Sequence, residues 1–136
     1  NCDWSSDVCS SDLFESEQAF IDAYFSWRRS AWRDDERYIE INLPERLATV
    51  LGPGQSDLIE AMVEQFVRHY PSTLTVTPGV VELLEELRGT FSFAVVSNFF
   101  LPRVPEQLLE TFGLGGMFEF VIDSAELGYK KPDSAI

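Results

Sequence analysis

Lysine is almost missing from this chain. Lys130 and Lys131 are the only two, and 10 basic residues stand against 23 acidic ones, for a formal charge of -13 and a pI near 4.3. Nucleic acid and anionic membrane surfaces are poor partners for so acidic a protein. Histidine occurs once, as His69, with no cysteine near it, so a metal role for that residue is not expected. No apolar run approaches the roughly 20 residues that a bilayer-spanning helix needs. What is abundant is core-forming material: 45% hydrophobic residues, 13% of the chain being aromatic, which argues for a packed core and against disorder. With 136 residues there is room for one domain, or for a small core with an appended piece. A soluble, cytoplasmic protein is expected.

Residues 1–13 (NCDWSSDVCSSDL) differ in texture from everything that follows, being rich in Ser and Asp without helical or strand period. The run Cys2–Leu13 resembles the translation of a sequencing-library adapter, and 1–13 is read as a non-native or disordered tail outside the fold. Both cysteines, Cys2 and Cys9, lie in it, so cysteine content carries no information on disulfides, zinc or compartment.

Helical periodicity dominates the first half. Ser16 fits an N-cap, and Phe20, Tyr24, Trp27 and Ala31 follow at spacings of three and four, predicting a helix to about Trp32. Arg28, Arg29 and Arg33 fall near its end, where cations suit the helix dipole; one of them reaching an anionic substrate is the functional alternative. The stretch 33–42 has no clear period. Pro44 fits the first turn of a helix to Leu51, which Gly52-Pro53-Gly54 ends. Ser56–Tyr70 is the cleanest amphipathic helix, with Ile59, Met62, Val63, Phe66, Val67 and Tyr70 on one face.

After Pro71 helices alternate with short apolar runs. Thr77-Pro78 reads as an N-cap followed by proline at the first helical position, opening a helix that carries Val80, Leu83, Leu84 and Leu87 and ends at Gly89. The run FSFAVVSN (91–98) has the composition of a fully buried parallel strand that stops on two small polar residues. Val104, Leu108, Leu109 and Phe112 mark the next helix, Phe118–Ile122 a second strand, 123–133 a polar loop, and Ser134–Ile136 the start of a helix. This alternation predicts an α/β fold with a parallel, partial Rossmann-like sheet at 77–136 and an α-helical piece at 14–76.

Ligands in open α/β sheets sit beyond the carboxyl ends of the strands. Ser97 and Asn98 close the first strand, and the loop leaving the second carries Lys130 and Lys131. Pro132 pushes Lys131 toward an extended conformation. A hydroxyl and an ammonium on one rim suit a small anion, above all a phosphoryl group, held by charge-assisted hydrogen bonds. By spacing alone, a Ser-Asn pair also serves as a turn or cap, and a Lys-Lys pair as a solvated loop.

The order TPGVVELLEELR, FAVVSN, LLETFGLGGMFEFVIDSAELGYKKPDSAI resembles the middle of a haloacid dehalogenase-superfamily hydrolase, from its second to its third motif, with the helical residues at 14–76 in the position of its inserted α-helical cap. The resemblance implies that Ser97 is the hydroxyl that hydrogen-bonds the transferring phosphoryl group and that Lys131 is the lysine that neutralises it. Asn98 is implied to shape the turn, with direct substrate contact left open, Lys130 to be surface-exposed, and Asp123 and Glu126 to serve loop structure and capping, a place near the metal region being their alternative. The implied parent is a Mg2+-dependent phosphatase of small phosphorylated metabolites that works through an aspartyl-phosphate intermediate.

The family's DxD nucleophile motif has no counterpart here, since Asp34-Asp35 lies in helical cap-like sequence; the magnesium-binding acids of the fourth motif have none either. By this reading the chain is a fragment truncated at both ends, lacks the attacking group and metal ligands, and is expected to be inactive by itself. The alternatives are a metal-free 2-haloacid dehalogenase on the same scaffold, and a non-catalytic acidic interaction domain. Oligomeric state is not legible.

Overall fold

The computed structural model describes residues 13–33 and 38–136; the expected tail, apart from Leu13, and the Asp34-Asp35 pair lie outside them. The described residues form two compact units, 13–33 with Leu43–Phe66 and Tyr38–Asn42 with Val67–Ile136.

The first unit is helical. α1 (Glu17–Arg33) starts where Ser16 Oγ accepts the Ala19 N–H at 3.1 Å, satisfying one of the donors that a helix start leaves open. Phe14 packs edge-on against Phe20 at 5.4 Å between ring centroids, and Phe20, Tyr24 and Trp27 continue the aromatic stripe. Arg28 and Arg29 are exposed. α1 packs on α2 (Leu43–Leu51), which has Pro44 in its first turn and buries Leu43, Leu47 and Leu51 at a helical spacing of four. α3 (Ser56–His69) follows and belongs to this unit up to Phe66; its last residues and the short 3-10 turn at Tyr70–Thr73 belong to the second. Ser16→Ala is expected to cost about 1 kcal/mol of stability, read as a lower urea midpoint with an unchanged slope; Ser16→Asp keeps an acceptor at the cap and should stay near wild type.

The second unit is built on two strands. β1 (Ala94–Ser97) and β2 (Phe120–Asp123) pair in parallel in the register Ala94↔Phe120 to Ser97↔Asp123. α4 (Val80–Leu87) precedes β1, and α5 (Val104–Thr111) connects it to β2 and packs against β2. Leu101, Val104 and Leu114 form the buried apolar centre of this unit. A short α6 (Ser124–Leu127) follows β2.

Several expectations are corrected. β1 is half exposed rather than fully buried, with Val96 at 39%; among the described residues its sheet has only β2 beside it, so one edge and part of a face stay uncovered. Both strands lie toward the carboxyl ends of their apolar runs. Pairing begins one hydrogen bond earlier, where Glu119 N–H donates to Phe93 O at 2.8 Å. Thr77 does not cap α4. Gly79, at φ 85 and ψ -8, takes the third position of a type II turn closed by Val80 N–H to Thr77 O, and its left-handed backbone delays the helix to Val80. At 134–135 the chain forms a turn in which the Asp133 carboxylate accepts the Ala135 N–H at 2.8 Å, the bond an N-cap makes at the start of a helix.

Candidate anion site at the strand ends

In a parallel pair both carboxyl ends share one edge, and here Ser97 and Asp123 are the last strand residues and register partners. Ser97 is half-buried, and among the described residues no hydrogen bond occupies its hydroxyl. Its proton is free for an acceptor arriving at the rim.

Asn98 does more than turn the chain. Its Oδ1 accepts Lys131 N–H at 2.7 Å and its Nδ2 donates to Lys131 O at 3.1 Å, so one side-chain amide satisfies both backbone groups of a residue 33 positions away. Lys131 precedes Pro132 through a cis peptide bond. Its ammonium donates to Val96 O at 2.5 Å, beside Ser97 in the chain. An ammonium has three donors, so two remain for a ligand. The structure therefore brings Asn98 and Lys131 into contact and sets the exposed Lys131 side chain against the end of the strand that carries Ser97.

Lys130 is half-buried rather than exposed, because the segment Tyr38–Glu40 runs alongside it and Tyr38 O accepts its N–H at 2.7 Å. Asp123 is 3% exposed. Its Oδ1 accepts Glu126 N–H and its Oδ2 accepts Arg103 N–H, each at 2.8 Å, so it caps α6 and anchors the turn into α5. Arg103 has φ 64, a strained value for a non-glycine residue, and this bond helps hold it there. Glu126 is exposed and bonds to Asp123 only through its backbone.

Sequence reasoning missed Ser124 and Glu40. Ser124 is fully buried; its Oγ accepts Phe99 N–H at 2.9 Å and donates to Glu40 Oε2 at 2.7 Å. The available signal was the repetition of a small polar residue after each strand, Asn98 after Ser97 and Ser124 after Asp123. For Glu40 it was a lone acid between Ile39 and Ile41.

Two parallel strands joined through a helix define an α/β, Rossmann-like architecture. The profile of the haloacid dehalogenase-like hydrolases matches residues 11–136, and the chain belongs to that family. It is similar to the pyrimidine 5'-nucleotidase YjjG of Escherichia coli (strain K12), with 32% identity over 73 residues, which are 54% of this chain and 32% of the relative. The match thus spans about a third of that relative's length.

Proposed function

We propose that the carboxyl edge of β1 and β2 is the phosphoryl-gripping part of a phosphatase site for small phosphorylated metabolites, nucleoside monophosphates foremost. The observation that supports this is the Lys131 ammonium held at Val96 O, the carbonyl directly before Ser97 in the chain, whose hydroxyl is uncommitted among the described residues. Ser97 donates one hydrogen bond to a phosphoryl oxygen. Lys131 turns its two remaining donors and its charge on the same group, offsetting the negative charge that develops during transfer. Asn98 fixes the Lys131 backbone, so that the ammonium is delivered without a large ordering cost. Helical residues 14–76 are read as the family's cap insertion, and 77–136 as the core.

On this reading the covalent step belongs to an aspartate carboxylate that is not among Ser97, Asn98 and Lys131. The family reading also calls for Mg2+. The residues described do not fit it: both Asp123 oxygens accept backbone N–H groups, and among the described residues no three acids, histidines or cysteines gather at metal-binding distances. The similarity to a nucleotidase favours phosphorus over a haloacid carbon as the electrophile.

The test is an amide-resolved NMR titration of the 136-residue protein. Uridine monophosphate and inorganic phosphate should shift the Ser97, Asn98 and Lys131 amides and compete with each other, while 2-chloropropionate leaves them unmoved. Shifts from chloropropionate alone would favour the dehalogenase reading. No response at those amides from any of the three would leave the non-catalytic domain as the better account.

A further inference from the structure

The segment Tyr38–Asn42 lies in sequence between α1 and α2, yet it belongs to the second unit. It runs antiparallel to the residues just before Lys131. Ile39 bridges Tyr129, Glu40 N–H donates to Gly128 O at 2.9 Å, and Lys130 N–H donates to Tyr38 O at 2.7 Å. Gly128 has φ 81, a conformation that only glycine adopts readily, and this aims its carbonyl at Glu40 while its own N–H closes α6 onto Ser124 O.

The Glu40 side chain turns inward from this strap. It is 9% exposed, and its Oε2 accepts from the fully buried Ser124 hydroxyl. The hydroxyl has one proton and two oxygens in reach, Glu40 Oε2 at 2.7 Å and Phe99 O at 3.2 Å. The shorter bond, to a carboxylate, takes the proton. Ser124 Oγ in turn accepts from Phe99, directly after Asn98. Glu40 therefore joins both halves of the rim: by its backbone to the stretch that delivers Lys131, and by its carboxylate, through Ser124, to the chain leaving β1.

We propose that Glu40 is a positioning residue that fixes the spacing between Asn98 and Lys131, and thereby sets how tightly the rim holds phosphate, without touching the anion. The proposal rests on the reading of Ser97 and Lys131 as a phosphate site. Removing the carboxylate lets the Ser124 proton swing to Phe99 O, so the β1 side stays pinned while the strap and the Lys130-Lys131 stretch loosen. Removing the Ser124 hydroxyl frees both sides.

The experiment measures inorganic phosphate affinity and amide hydrogen exchange in the 136-residue protein and three variants. Glu40→Ala should weaken phosphate binding about tenfold, the scale of one lost hydrogen bond to a buried charged group. The Lys130 amide should exchange faster by a similar factor while α1 amides keep their rates. Ser124→Ala should weaken binding at least as much and also expose the Phe99 amide. Glu40→Gln keeps an oxygen that accepts from Ser124 and should restore near-wild-type values, a rescue that a general loss of stability would not give. Unchanged affinity and Lys130 protection in Glu40→Ala overturns the proposal, and so does a Glu40→Gln variant as weak as Glu40→Ala. If phosphate shifts none of the Ser97, Asn98 and Lys131 amides in the unmodified protein, the site reading fails. The exchange rates then decide by themselves whether Glu40 holds the Lys130 backbone in place.

Discussion

Replacing Asp123 by alanine is expected to remove about 3 kcal/mol of stability, the sum of a lost helix cap and a buried N–H left without an acceptor. The carboxylate is 3% exposed and each of its oxygens serves a different backbone donor, Glu126 N–H at the start of α6 and Arg103 N–H at the turn into α5. Water does not reach these donors easily once the side chain is gone, so the cost includes their desolvation. Arg103 also sits at a positive φ that its neighbours must hold. Asp123→Asn offers only one acceptor oxygen, its amide NH2 facing a donor, and should lose about half as much. Urea unfolding followed by circular dichroism reads both. A midpoint for Asp123→Ala within error of wild type would mean that this residue is not the joint between β2, α5 and α6.

The second large effect is on binding. Lys131→Ala should weaken inorganic phosphate binding about 10- to 100-fold, the range for losing charge-assisted hydrogen bonds of about 1.5–3 kcal/mol. Folding should survive, because the two bonds from Asn98 go to the Lys131 backbone and remain in the variant. Lys131→Arg should recover only part of the affinity: a planar guanidinium is larger than an ammonium and cannot both bond Val96 O and aim two donors at the same point. Phosphate affinity equal to wild type in Lys131→Ala would remove the lysine from the site.

Much of the architecture was legible because its signals are local. Short apolar runs marked both strands, the first by its stop on two small polar residues, and helical spacing marked α1, α2, α3 and α5 within a residue or two. The errors come from competition that a periodic pattern does not reveal. Gly79 takes a left-handed turn position and displaces the expected cap at Thr77; β1 is exposed because its sheet has one neighbour among the described residues. The candidate site divides in the same way. Ser97 closes a strand and Lys131 stands directly before a proline on the loop after the second strand, positions that a sequence displays. Glu40 works through Ser124, 84 positions away, and no local pattern links the two. The double bond from Asn98 to the Lys131 backbone is likewise a long-range fact.

The central claim is that Ser97 and Lys131 hold one anion between them. A crystal of the protein soaked in tungstate, a phosphate mimic located by its anomalous scattering, tests it directly. The account predicts a single tungstate with its oxygens about 3 Å from both Ser97 Oγ and Lys131 Nζ, lost in Lys131→Ala. Tungstate bound elsewhere on the chain, or touching only one of the two side chains, would contradict it.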